Sequence, residues 1–319
     1  MSFNPDELAA QARAGGGAKR AMIRDFMPEQ HQVFFAALPY IFVATIDADR
    51  WPLGTLLEGE PGFVSSPDPR TLRIQSLPGL GDPAYGLIRK GDEIGLLGID
   101  LVTRRRNRAN GVVSEVDASG FTVAVQQSFG NCPQYIQRRT LSRAGAAGGR
   151  VRRLESLDDA ARGLIARADT FFVASRSRVG VGPAGGADIS HRGGRPGFVR
   201  AEGDVLSIPD FRGNRYFNTL GNMLGEPRAS LLFVDFDTGN LLQLQGVATI
   251  DWSSAAAERF EGAERTWQFR IARGWFRPQA VALRGAFVDY SPVTLRTGGW
   301  MPPGESARGS GRQTSASDG

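Results

Sequence analysis

The chain has 319 residues, 41% of them hydrophobic and 22% charged, with 38 basic against 33 acidic side chains and a formal charge of +5. That composition describes a globular protein large enough for one big or two ordinary domains, and no apolar run approaches the roughly 18 residues of a membrane span. The polar N-terminus lacks the apolar stretch of a secretory signal, so the expected location is cytoplasmic, with no membrane partner. One cysteine, Cys132, excludes an internal disulfide framework, and with only His31 and His191 beside it no metal site is expected. Lys19 and Lys90 are the only lysines. The remaining positive charge is arginine spread along the chain without interleaved aromatics, and no nucleic-acid partner is expected.

In chain order, residues 1–30 read as an N-terminal helical extension. Short apolar or alternating runs bounded by Gly, Pro and Asp predict strands over 40–46, 72–75, 94–101 and 121–125, with a helix over 83–89 between them. A Gly/Ala/Arg stretch over 144–153 reads as a linker. Strands are predicted again over 170–175, 205–208, 230–236 and 241–250, with helices over 214–224 and 253–269; in the first of these helices Phe217, Leu220 and Leu224 fall at three- and four-residue steps. Residues 301–319 carry Gly, Ser, Arg and Asp without periodicity and read as a disordered tail or a hinge to a further domain.

The second half repeats the first. Pro61-Gly62-Phe63-Val64 returns as Pro196-Gly197-Phe198-Val199, and at the same offset Gly86 matches Gly221, Leu96-Leu97 matches Leu231-Leu232, Asp100 matches Asp235, Thr103 matches Thr238 and Gly111-Val112 matches Gly246-Val247. Those eleven identities in 52 aligned pairs compare with about three or four for unrelated segments of ordinary composition. Phe42-Val43-Ala44-Thr45 likewise resembles Phe172-Val173-Ala174-Ser175. The chain therefore reads as two copies of one domain, over 31–143 and 154–300, each mainly β with a few helices (α+β), and the many short strands with 41 glycines point to barrels.

Polar chemistry concentrates in one segment of the second copy, 185–220, which brings His191, Arg192, Arg195, Arg212, Asn214 and Arg215 together. Asn214 and Arg215 open the predicted helix, where free backbone N–H groups and the helix dipole favour an anion that arginine can hold with paired donors. A solvated basic turn is the plainer reading of the same residues. The first copy has Gly79-Leu80-Gly81-Asp82-Pro83 at the corresponding place, an acid where the anion-binding residues stand, so the site is expected once per chain. Arg104 to Arg108 reads equally as a cofactor cradle or a solvated hairpin, and Cys132 as a small buried side chain.

The motifs GADISHRGGRPGFV, IPDFRGNRYFNTLGN and LLFVDFDTGNLLQLQG of the second half, with GIDLVTRRRNRANG and QQSFGNCPQYIQRR of the first, resemble the pyridoxamine 5'-phosphate oxidase-like family of FMN-binding split barrels, in its tandem-repeat branch. The resemblance spans residues 23–292. It implies two tandem antiparallel split β-barrels that form inside one chain the dimer other members form between chains, with FMN across the interface. By position it assigns flavin contacts to Ser190, His191 and Arg192, and to Ile208, Pro209, Asp210 and Phe211. It puts the phosphate at Asn214 and Arg215, and it draws Gln127 and Ser128 from the opposite half, with Gln243 on a further flavin-facing strand. The family's Ser-Arg-Lys phosphate turn is here Gly213-Asn214-Arg215, one cation short, which leaves Arg192 to supply the charge. The family's C-terminal Arg-Leu-x-Pro ending is absent, which argues against pyridoxamine phosphate oxidation itself.

The resemblance thus implies an FMN-dependent oxidoreductase, with NADH or NADPH as candidate donors to a small-molecule substrate and no catalytic side chain assigned. The chain would be a monomeric pseudo-dimer or a homodimer. The alternatives are a non-catalytic FMN-binding or haem-binding module, with His191 as the axial ligand, and the flavin-holding part of a larger electron-transfer protein.

Overall fold

A computed structural model of the chain describes residues 3–146 and 148–300; the tail expected over 301–319 lies outside the described residues. Two helices, α1 (Pro5–Arg13) and α2 (Glu29–Ala37), precede a first set of strands: β1 (Tyr40–Ile46), β2 (Pro52–Glu58), β3 (Val64–Asp68), β4 (Thr71–Ile74), β5 (Glu93–Asp100), β6 (Arg105–Asp117) and β7 (Gly120–Gly130). After β8 (Arg138–Arg143), β9 (Arg152–Leu154) and α3 (Asp159–Arg167) come β10 (Thr170–Arg176), β11 (Ala187–Gly193), β12 (Arg200–Glu202) and β13 (Val205–Phe211). The chain then runs through α4 (Asn218–Gly225), β14 (Arg228–Val234), β15 (Leu241–Asp251), α5 (Ser254–Glu258), β16 (Ala263–Arg277) and β17 (Leu283–Asp289). All named strand pairs are antiparallel.

The two large sheets have one topology. The first runs β2-β1-β5-β6-β7-β4-β3 and the second β11-β10-β14-β15-β16-β13-β12, the same order strand for strand. The fold is therefore mainly β, with two antiparallel sheet bodies of the kind expected for tandem split barrels. Each body has its own core: Phe35, Ile41, Val43, Leu96 and Phe121 fill the first, and Phe171, Val173, Leu231, Phe233, Trp267 and Phe269 the second. A third core belongs to both halves. It gathers Tyr40, Phe42, Leu97, Phe172, Ile189 and Leu232, and at its centre the repeat-equivalent Phe42 and Phe172 rings stack 3.5 Å apart. The expected linker is partly structured. β9 adds to β16 of the second sheet, and β8 of the first half pairs with β17 of the second, tying the two together.

The seam requires small residues where backbones meet. Gly95 of β5 lies against the backbone of Asp188 in β11, where a Cβ would come within 2.7 Å of the Asp188 Cα.

Three predicted helices change. Residues 83–86 form turns and 87–89 are irregular, with Gly86 at a left-handed φ of 71°. The helix expected over 214–224 begins only at Asn218, since Arg215 and Phe217 are left-handed at φ 59° and 61°. The helix expected over 253–269 ends at Glu258; Gly262, at φ 85°, turns the chain, and the alternating Trp267, Phe269 and Ile271 lie in β16 at the heart of the second sheet. The Ala/Glu-rich start of that segment has helical propensity, but the period-two pattern that follows decides the fold.

Because the third core is common to both halves, Phe172→Ala should cost about 3–5 kcal/mol and destabilise the whole chain in one transition. Denaturant unfolding followed by tryptophan fluorescence measures this; a loss confined to one half would appear as two separated transitions.

Candidate functional site

The seam has two ends related by the repeat. At one end β11 of the second half faces β6 of the first, and the β13–α4 turn forms the outer wall. Along β6 the alternation of a strand sends Arg106, Arg108 and Asn110 to the seam, while Arg105 turns outward over the Phe34 ring. Arg108 donates to both oxygens of Asp188 at 3.0 Å and to Asn218, and Asn110 donates to Asp188 as well, so a buried ion pair crosses between the halves.

Beside this pair lies a cavity of about 80 Å³, whose wall includes Arg106, Arg108, Ser190, His191, Arg192, Asp210, Asn214, Arg215, Glu264 and Arg265. Most of its charge is already paired. Arg265 binds Asp210 and Glu264, Arg192 lies 3.2 Å from Asp210, and Arg215 lies 3.3 Å from Glu264. Arg106 has no carboxylate partner among the described residues. Its guanidinium donates to the Cys132 carbonyl at 2.9 Å and lies 3.1 Å from His191 Nδ1. A guanidinium can only donate, so Nδ1 accepts and the ring proton sits on Nε2. His191 is 4% exposed, and Nε2 has no partner among the described residues. Burial, reinforced by Arg106 and Arg192, holds the His191 pKa well below its ordinary value, so the ring is neutral. Burial and the adjacent Arg108 and Arg192 also press against the charge on Arg106. With five guanidinia around three carboxylates (Asp188, Asp210 and Glu264), the cavity is electropositive and keeps free donors on Arg106 and His191. What such a site can do is hold a small oxyanion.

The expected site residues divide. Ser190, His191, Arg192, Asp210, Phe211, Asn214 and Arg215 all reach the cavity wall. Ser190 accepts from Thr219 at 2.8 Å, and Phe211 stacks on Tyr135. Arg215 is spent elsewhere: its guanidinium donates to the Ala14 and Gly16 carbonyls, and the Asn214 side chain accepts from the Tyr216 N–H. Ile208 is buried in the second core, and neither it nor Pro209 reaches the cavity. Gln127 donates to the Pro183 and Gly185 carbonyls beside the seam, whereas Ser128 hydrogen-bonds His31 within the first half.

Gln243 lies at the other end of the seam. There Asp82 accepts from Thr55, from Arg277 at 2.8 Å and from Gln243 at 3.3 Å, all buried. A carboxylate of the chain itself thus sits among the donors. Sequence reading singled out the acid at 82 but not its partner Arg277, which lies in the stretch read as following a helix. It also left Arg106 and Arg108 undecided, although their i, i+2 spacing with Asn110 was the available signal. Glu7 was missed. It is buried, accepts from Asn4 N–H at 2.8 Å and from the Asn218 side chain, and so ties α1 to α4.

No protein-family model matches the chain, and no curated protein does. Among solved structures it is similar to HupZ of Group A Streptococcus at 17% identity, over 40% of this chain and 97% of that one, with a TM-score of 0.30. A FAD-binding protein of Mesorhizobium loti matches at 11% identity over 40% and 97%, TM-score 0.26. HutZ, a haem storage protein of Vibrio cholerae, matches at 14% over 37% and 91%, TM-score 0.24. Among the described residues no helix is long and apolar enough to cross a membrane.

Burial pushes the Glu7 carboxyl up to about 7 from 4.5, with Asp188 adding to the shift and Asn4, Asn218 and Arg108 opposing it. A raised pKa means that docked α1 holds a proton the undocked segment releases. Docking is therefore fully favoured below pH 4.5, weakens by about tenfold per pH unit as pH rises towards 7, and levels off above it. Hydrogen-exchange protection factors over 5–13 should follow that course; factors flat across the window would show that Glu7 keeps its charge state on docking.

Proposed function

We propose that this chain is a flavin-binding oxidoreductase of the pyridoxamine 5'-phosphate oxidase-like split-barrel kind, working in the cytoplasm with one FMN per chain at the open end of its seam. The observation that carries this reading is the electropositive cavity between the halves, with the donors of Arg106 and His191 Nε2 left free beside Arg192. Those donors suit a phosphate. They replace Asn214 and Arg215 as its holders, because the side chains of that pair are engaged elsewhere. The Asp82 carboxylate among the donors of the opposite end supports a single site.

The phosphate end fits and the remainder of the cofactor does not. A cavity of about 80 Å³ falls well short of the roughly 300 Å³ and more that a ligand of nucleotide size occupies. When bound, FMN supplies two-electron chemistry, and the chain's own part is to bind, orient and exclude water. A reduced nicotinamide is the donor this reading favours. Haem ligation by His191 is disfavoured by the ring itself: Arg106 occupies the Nδ1 lone pair and leaves a hydrogen, not a lone pair, on Nε2.

The test is to add FMN to the purified chain, desalt it and measure flavin absorbance against protein. About one FMN per chain is expected, and Arg106→Ala should weaken binding by about 10- to 150-fold, the 1.5–3 kcal/mol of one charge-assisted phosphate contact. Retention of no flavin by the wild-type chain would overturn the reading. Flavin retained but not reduced by NADH or NADPH would leave a binding module in place of an oxidoreductase.

A further inference from the structure

Part of the cavity wall is not held by a sheet ladder. β11, β6 and β16 are sheet strands held by their ladders, whereas the wall over 213–217 is an irregular turn with two left-handed non-glycine residues. That turn is fastened from outside by the N-terminal segment. Ala18 N–H donates to the Arg215 carbonyl at 3.1 Å, and Gln11 donates to the Tyr216 carbonyl at 3.1 Å. Met22 N–H donates to the Tyr216 hydroxyl at 3.0 Å, the Phe3 ring meets the Tyr216 ring edge-on, and Arg215 grips the Ala14 and Gly16 carbonyls just beyond α1. The start of the segment is seated on α4: Gly221 lies flush against Glu7, where a Cβ would come within 2.7 Å of the Glu7 Cα. Its end is anchored by a backbone pair between Arg24 and Ser128 of β7.

We propose that residues 3–24 form a latch on the seam site: docked as here they hold the cavity at the size of a phosphate group, and a nucleotide-sized ligand enters when they lift from α4 and the 213–217 turn. This rests on the FMN reading above and deepens it. The turn is bonded to the latch through both carbonyls at 215 and 216 and through the Arg215 side chain. Arg215 serves both states. Closed, all three of its guanidinium nitrogens are engaged by Ala14, Gly16 and Glu264; open, those facing the latch are released towards the ligand. The latch therefore selects by size. Inorganic phosphate can sit on Arg106 and His191 with the latch shut, and a ligand that carries more than its phosphate must first open it.

The experiment uses the full chain, Gly221→Val, which places a side chain against the Glu7 backbone, and the milder Gln11→Ala. Neither residue lies on the cavity wall. FMN association is followed by flavin fluorescence in a stopped-flow instrument, inorganic phosphate binding by calorimetry, and hydrogen exchange over 5–22 with and without saturating FMN. FMN should associate about tenfold faster with Gly221→Val and severalfold faster with Gln11→Ala, because the fraction of open molecules limits entry. Phosphate affinity should stay within about twofold, and FMN saturation of the wild-type chain should raise exchange over 5–22. FMN bound by all three proteins at one rate, or exchange unchanged or slowed on saturation, overturns the latch and leaves the flavin reading standing. A phosphate affinity that falls with the variants overturns the claim that the latch acts on entry alone. FMN bound by none of the three, or by a variant but not by the wild-type chain, overturns both readings. If Gly221→Val does not fold, Gln11→Ala and the exchange measurement decide the matter.

Discussion

The two halves are registered on one another by a pair of reciprocal ion pairs buried in the seam. At one end Arg108 of the first half meets Asp188 of the second; at the other Arg277 of the second half meets Asp82 of the first. Neither pair is a strong source of net stability, since desolvating two charges offsets most of their attraction, but losing one partner leaves a stranded charge that costs about 3–5 kcal/mol. Any slip of one sheet along the other strands both pairs at once. Between them the apolar contacts, led by Phe42 on Phe172, supply attraction without direction. The ionic ends determine where the halves stop, and so where the cavity lies.

The repeat explains why the ends differ. At the repeat offset of 135, Arg106, Arg108 and Asn110 correspond to Leu241, Gln243 and Gln245, and His191 and Arg192 correspond to Leu56 and Leu57. One end thus carries surplus guanidinium groups and a neutral histidine, while the other replaces most of these with apolar or amide side chains and seats the Asp82 carboxylate on what remains. In each half the strands that dock are the same; the side chains they present to the seam are not. The chemistry is asymmetric on a symmetric frame.

Much of this frame was legible. The eleven identities at one offset give the duplication, and the alternating runs at 40–46 and 94–101 lie within a residue or so of β1 and β5. What was not legible has specific causes. The segment 263–277 begins beside a good helix former, and only its pairing with β13 and β15 makes it a central strand. The arginine run at 104–108 could not be apportioned between solvent and seam without knowing where β6 begins, because one residue of register exchanges the two faces. Gln243 was expected on a flavin-facing strand; its side chain bonds Gly54 and Asp82 at the end of the seam opposite the cavity, and one copy of the motif does not say which end it serves.

Arg215 is the most instructive of the misplaced roles. From sequence it stands next to a helix start, where a cation and free N–H groups together suit a phosphate. The helix in fact begins four residues later, at Asn218, because Arg215 and Phe217 adopt left-handed backbone at a cost of order 1–3 kcal/mol each. Within 213–217 the Asn214 side chain accepts from the Tyr216 N–H, and further support is needed from outside. That support comes from the hydrogen bonds and ring contact made by residues 3–22, about two hundred positions away in the chain. The geometry of the turn is therefore a property of the assembled N-terminal segment and not of its own residues. A motif whose conformation is held from elsewhere cannot show in sequence which of its donors are free, whereas Arg106 and His191 lie on sheet strands whose ladders place them.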